Sequence, residues 1–447
     1  MRHCIALCGL LSLAAPATLS LAQQAATPQA PVAGQPAGAP SGYVTREEYE
    51  KLRSQLDTVT KDMADMKTQQ ATSQKEVDDT IEEIMKNIHN NERAIDQLHL
   101  GSNRFMLAGD GEVGFTARHD NNSTFDAGFA PLFLYELDKN IIFEGALDIS
   151  GSTDDQNSSD TTADLVLANI TFTVSDCLYV GGGVFAVPFG RYHTHFDASW
   201  INKLPDDPLA FGDRALGPSS ETGIFLGGAV PIDTTKVEYN LYVANGPNLI
   251  VNDPDAAGSL NFDDYTDLNG DKAVGGRIGF LPIPVVDVGY SVQYSEAAPD
   301  GFGDHVHVLL QAVDAQYKQE LEQISGTLEV RGEWIWSHVG DTTYDPDGSL
   351  GFGPISFNND RNGGYIMVAY RPTKVDNKVI KNLEFIARYD RVQVSESAPG
   401  GGNEDRWTFG VDYWVKPNVV LKVAYQFDSV EVGSDQDALM LQCAFGL

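Results

Sequence analysis

The strongest constraint on this chain is an alternation that runs the wrong way round for a water-soluble protein. Near its end, Leu439, Leu441, Cys443, Phe445 and Leu447 alternate with Ala438, Met440, Gln442, Ala444 and Gly446. The segment before it sets Leu421, Val423, Tyr425 and Phe427 against Lys422, Ala424, Gln426 and Asp428. Side chains of an extended strand point alternately to two faces, so each segment has one apolar face and one small or polar face. A wall with small and polar residues turned inward and apolar residues turned outward fits lipid outside and water inside. The fold this predicts is an all-β transmembrane barrel.

The pattern recurs sixteen times between residues 104 and 447, giving about 16 antiparallel strands. Connections at 138–140, 175–176, 231–234, 282–284 and 416–418 are tight, and longer polar loops at 151–162, 246–271, 340–362 and 395–405 lie between them. An even strand number with alternating short turns and long loops is the outer-membrane arrangement, turns toward the periplasm and loops outward. Two connections, 314–323 and 372–381, are longer than such turns should be. No segment beyond residue 22 approaches the ~20 apolar residues of a membrane helix, whereas a barrel strand needs only ~9–11. Tyr413 and Trp414 near a turn, and Trp334, Trp336 and Trp407 nearer loops, suggest an aromatic girdle at each interface.

The chain divides accordingly. Residues 1–22 read as a signal peptide: Arg2 and His3, an apolar run, then Ser20-Leu21-Ala22. Residues 23–42 are an uncharged linker rich in Pro and Ala. Residues 43–100 carry a heptad seam through Tyr49, Leu52, Leu56, Val59, Met63 and Met66, resumed after a stutter at Ile81, Ile84, Ile88 and Ile95. That predicts a periplasmic α-helical coiled coil that self-associates; the alternative is a helix folded back on its own barrel. Residues 103–447 form the outer-membrane β-barrel. Of the four cysteines, Cys4 and Cys8 leave with the signal, and Cys177 and Cys443 read as wall filler rather than a disulfide.

The net charge of −33 excludes a basic nucleic-acid surface. Residues 103–447 hold 21 Lys and Arg against 50 Asp and Glu, with acidic clusters in the loops at 154–155, 263–264 and 341–347.

The connection at 191–220 stands apart. Phe196, Trp200, Ile201, Leu204, Leu209 and Phe211 make it too apolar to remain in water, and the surface available in a barrel is the inner wall. A barrel of sixteen strands whose third long loop folds inward resembles the bacterial porins. The coiled coil ahead of it is similar to the families of phosphate-selective and dicarboxylate porins. The resemblance implies passive diffusion of small hydrophilic solutes or ions through a lumen narrowed by that loop, and a homotrimer, which the β-branched Ile of the seam also favours. Arg191, Asp197, Trp200, Lys203, Asp206, Asp207 and Arg214 are the expected constriction, with Arg277, Glu329, Arg331, Glu333, Arg388 and Lys422 in the lumen. These loop charges, counted with Asp213, favour acid by one, so a weak cation preference is expected.

No catalytic constellation and no cofactor are expected. His193 with His195 and His305 with His307 have metal-ligand spacing without a third ligand, and 305 and 307 read as lumen positions. Asp267, Asn269 and Asp271 match the start of a calcium loop, but Lys272 replaces the usual Gly. Two other readings remain: a structural anchor whose coiled coil tethers the outer membrane to the cell wall, and an anion uptake porin for phosphate-like solutes.

Overall fold

The computed structural model describes residues 104–447, apart from 120–122, 154–158, 263–264, 266, 303–304 and 352. The signal peptide, linker and coiled coil expected for 1–100 lie outside the described residues.

Sixteen strands close into one antiparallel barrel. The first seven are β1 (Phe105–Arg118), β2 (Thr124–Asp138), β3 (Ile141–Thr153), β4 (Ser159–Ser175), β5 (Leu178–Ala186), β6 (Ser220–Ile232) and β7 (Thr235–Ala244). A two-stranded ribbon, β8 (Asn248–Leu249) with β9 (Leu260–Asn261), stands outside the wall in the long loop that follows. The wall resumes with β10 (Ala273–Ile283), β11 (Val286–Glu296), β12 (His307–Leu321), β13 (Gly326–Val339) and β14 (Asn359–Arg371). It ends with β15 (Leu383–Val394), β16 (Glu404–Lys416), β17 (Val419–Val430) and β18 (Ala438–Gly446). β1 closes the ring on β18, with Asp110 opposite Gly446 and Arg118 opposite Ala438, so no sheet edge is left open. No helix among the described residues is long and apolar enough to cross a membrane.

The inverted alternation holds. Lys422 and Ala424 are each 1% exposed, whereas Leu421 and Val423, between and beside them, are 44% and 49% exposed. Those outward residues would strand apolar area in water, and a hydrocarbon surrounding removes that cost.

The hydrophobic core lies inside the barrel. Leu204, Leu209, Phe211 and Leu216 of the third long loop pack with inward Leu310, Ile335, Met367 and Val392. The outer loops extend the same cluster through Ala257, Phe262, Tyr344 and Phe357, the last two stacked at 5.1 Å. Asn359 donates from Nδ2 to the Gly258 carbonyl at 2.7 Å and ties two of these loops together.

Three expectations are corrected, and the length of the connection after β14 is explained. The doubtful connection at 314–323 is mostly strand: β12 runs to Leu321, and a short turn over Glu322–Ile324 with Ser325 at φ 52° carries the chain into β13. The connection 372–382 is long because it lies along that turn, where Lys374 Nζ reaches Glu320 at 3.0 Å and Glu322 at 2.6 Å. Trp414 faces inward, donating from Nε1 to Glu384 at 2.8 Å, so it belongs to no outer girdle. His305 and His307 are not in the lumen. His305 pairs with Glu296 in a loop, and His307 stacks on outward Tyr294 at 5.8 Å, because the inward face of β12 is the even-numbered one. Cys443 is a free thiol on the outer face, so it forms no disulfide with Cys177.

Candidate functional site

The loop joining β5 to β6, hereafter loop 3, runs along the inner wall and is held there residue by residue. It starts at Gly190, whose φ of 69° is open to glycine and strained for other residues. A Cβ there would overlap the Glu333 carboxylate. Gly190 N–H donates to Ser291 Oγ at 2.9 Å, and the N–H groups of Arg191 and Tyr192 both donate to Glu333 Oε2, at 2.9 and 3.0 Å. One wall carboxylate thus satisfies two orphan donors at the start of the π-helical turn Tyr192–Phe196.

Arg191 turns back to the wall and pairs with Asp287. Beside it, Arg277 grips Asp314 through Nε at 2.9 Å and Nη2 at 2.6 Å. Within the turn the two histidines diverge: His193 Nδ1 lies 3.4 Å from Asp197, and His195 Nδ1 lies 2.7 Å from Thr194 Oγ. Burial disfavours the His193 imidazolium, but the hydrogen bond to Asp197 together with the negative charges of Asp197, Asp207 and Glu333 outweighs it and moves its pKa up. Burial, then the positive charges of Arg191 and Arg277, push His195 down to about 4, so it is neutral at physiological pH. The pair shares no ligand position, and no metal-binding cluster occurs among the described residues.

The next stretch is a helical turn, with Ile201 and Asn202 N–H groups both donating to the Ala198 carbonyl. Such a turn ends in carbonyls without intrahelical partners, which a cation can satisfy. Lys422 does so from the wall: its Nζ donates to the carbonyls of Ser199 at 2.5 Å, Asn202 at 2.8 Å and Leu204 at 3.3 Å. Trp200 lies over Gly446 and Leu204 over Gly410, contacts that a Cβ at either glycine would block. Lys203 reaches Glu384 at 2.8 Å and Glu329 at 3.9 Å, and lies 5.5 Å over the Trp414 ring.

At the far side Arg388 binds the Asp206 carboxylate at 2.6 Å and the carbonyls of Asp206 and Asp207 at 2.9 and 3.0 Å, while Asp390 steadies its Nε at 2.8 Å. Tyr192 donates its hydroxyl to Asp207 at 2.6 Å. Asp207 is enclosed by the barrel yet its carboxylate reaches the wet interior; burial, with Asp197 nearby, pushes its pKa up to about 6. Arg214 leaves the loop to pair with Glu404 at 3.1 Å. Arg331 stacks 4.2 Å from the Phe196 ring and lies 3.5 Å from Glu329.

What loop 3 does not fill is a cavity of about 1,090 Å³ between its free face, β1–β4 and β16–β18. Asp197, Trp200, Asp206 and Asp207 line it. Arg191, Lys203 and Arg214 do not, because each is drawn to a wall carboxylate. The six lumen residues named from the sequence are all buried on the inner face. Sequence reasoning missed Asp287, Asp314, Asp390 and Arg406, the last of which joins Glu404, Asp213 and Asp428 at 3.0, 3.4 and 3.3 Å. The parity that marked Arg388 as inward also marks Asp390 on the same strand, and the alternation of β16 marks Arg406.

A sixteen-stranded ring that carries its third long loop inside is the decisive arrangement. The chain folds as a porin. The profile of the family described as "Phosphate-selective porin O and P" matches residues 308–432, the part of the wall from β12 to β17 against which much of loop 3 packs. OmpF of Salmonella typhi, solved in complex with daunomycin, superposes with a TM-score of 0.50 at 14% identity, covering 77% of this chain and 97% of its own. OprB of Pseudomonas putida gives 0.45 at 10%, covering 77% and 93%, and OpdK of Pseudomonas aeruginosa, solved with vanillate, gives 0.41 at 11%, covering 77% and 98%. No curated protein matches the sequence.

The calcium candidate closes on itself. Asp267 accepts the Gly270 N–H at 2.8 Å and pairs with Lys272, whose ammonium stands where a cation would, while Asn269 Oδ1 accepts the Asp271 N–H at 3.0 Å.

Proposed function

We propose that this protein is an outer-membrane channel for passive diffusion of small hydrophilic solutes or ions, which pass between loop 3 and the β1–β4 wall. The observation that carries the reading is the 1,090 Å³ cavity left beside a loop pinned on its other side by Glu333, Lys422 and Arg388. Loop 3 narrows the lumen there, with Asp197, Trp200, Asp206 and Asp207 on the passage side. Single-channel recording in planar bilayers tests it: discrete steps are expected, and removal of residues 206–212 should raise their size. A plugged anchor, with the coiled coil tethering the cell wall, would show no steps.

Homotrimeric assembly, with residues 43–100 as a periplasmic coiled coil, is part of the same proposal. Its support is the heptad seam in the sequence. Mass measurement in mild detergent, with and without residues 23–100, separates a barrel-driven trimer from one held by the helix; a monomeric full-length protein would refute both.

The anion-uptake reading needs inward cations free to meet a phosphate-like solute. Arg277, Arg388 and Lys422 are each engaged by a carboxylate or by loop 3 carbonyls, and Arg331 lies against Glu329 and Phe196. That engagement favours the unspecialised diffusion channel.

A further inference from the structure

Charge is segregated across loop 3. On its wall side stand Arg388 and Lys422, which hold it from the barrel, with Arg191 and Lys203 reaching outward from the loop to wall carboxylates. On its passage side, nine carboxylates line the cavity against the guanidiniums of only two residues, Arg118 and Arg406. Arg406 is itself surrounded by Glu404, Asp213 and Asp428, with Asp206 at 3.9 Å.

The wall facing loop 3 adds an independent observation. Asp148 on β3 stands directly opposite Asp164 on β4, both exposed, and Asp148 lines the cavity. No ion pair or hydrogen bond to a cationic side chain engages either one among the described residues. Like charges directly opposite each other across two strands destabilise a sheet. The stagger that puts them there is a register shift between Ala146 and Leu147, which turns Leu147 and Leu165 to one face and the two aspartates to the other. A mobile cation passing between them and loop 3 would relieve the repulsion.

We infer that the passage selects cations, small inorganic ions and ammonium-bearing solutes over phosphates and carboxylates, with Asp148 and Asp164 as its specificity-determining pair. This rests on the diffusion-channel reading. The wall charges lie within about a Debye length of any ion in a cavity of this size, ~8 Å at physiological salt, so they act on it with little screening. Low-dielectric walls focus their field along the passage. The basic residues behind loop 3 are locally neutralised by the carboxylates and carbonyls they hold, so they supply no competing track.

The test is the reversal potential of the full-length protein in a planar bilayer under a KCl gradient. The wild type should be cation-selective. The double variant Asp148→Asn, Asp164→Asn should lower the cation-to-anion permeability ratio by roughly two- to fivefold near 0.1 M salt, with the difference shrinking at 1 M. Asp148→Lys alone should lower it further, and serves if the double variant does not fold. An anion-selective or non-selective wild type, or a ratio untouched by either change, overturns the inference while leaving a working channel. Absence of discrete steps would instead overturn the channel reading.

Discussion

The Arg388 guanidinium meets the Asp206 carboxylate at 2.6 Å across 182 positions of sequence, and Arg388 is only 1% exposed. Arg388→Gln would leave Asp390 without its ion-pair partner and Asp206 with only Arg406, at 3.9 Å. Losing one member of a buried pair costs ~3–5 kcal/mol, so loop 3 should detach locally and the barrel should melt at lower temperature in detergent. Channels of the variant should be larger and noisier; quiet steps of wild-type size would mean that loop 3 is held elsewhere.

Lys422→Met keeps most of the side chain's length and removes the donor to three loop 3 carbonyls. A charge-assisted hydrogen bond contributes ~1.5–3 kcal/mol, so the turn at 198–202 should open more often and current fluctuations should rise. Cation preference should not fall. If Lys422 were instead a phosphate ligand, the variant would lose a saturable block of KCl current by added phosphate.

Gly190→Ala puts a methyl group where Glu333 accepts two backbone N–H groups, in a backbone region disfavoured for alanine. The expected outcome is a loss of order 1–3 kcal/mol from strain alone, together with displacement of the π-helical turn. Glu333→Gln can still accept from those amides, and should retain more of the wild-type melting temperature.

The pH response should centre on Asp207. Its pKa is raised to about 6, so the folded protein takes up a proton there before the unfolded chain would, and this site adds stability as pH falls from about 6 toward 4. The same proton removes a negative charge from the passage. Cation preference should therefore drop as pH is lowered from 7 to 5, and Asp207→Asn should flatten that part of the curve. A wild type whose selectivity holds constant over the range would contradict the assignment.

The barrel was legible because it is a repetition of local facts. Leu421 and Lys422 fall on opposite faces whatever the rest of the chain does, since a strand alternates with period two. Short turns such as 416–418 set neighbouring strands in register. Legibility failed where position along the barrel mattered. Nothing local says that β12 continues to Leu321, or that Trp414 turns in to Glu384 rather than out to an interface.

The site divides the same way. The apolar content of 191–220 sends loop 3 to the inner wall, and parity places Arg388, Lys422 and Glu333 there too; those statements need only the sequence. Which way each loop charge points needs the fold. Counted along the chain, Asp197, Asp206, Asp207 and Asp213 nearly balance Arg191, Lys203 and Arg214. In the barrel, Asp287, Glu384 and Glu404 draw those three cations to the wall, while the four aspartates line the cavity. Burial makes an unpaired charge costly, so a loop pressed against a charged wall sorts its side chains by the sign they face, and that sign comes from wall residues 96 to 190 positions away.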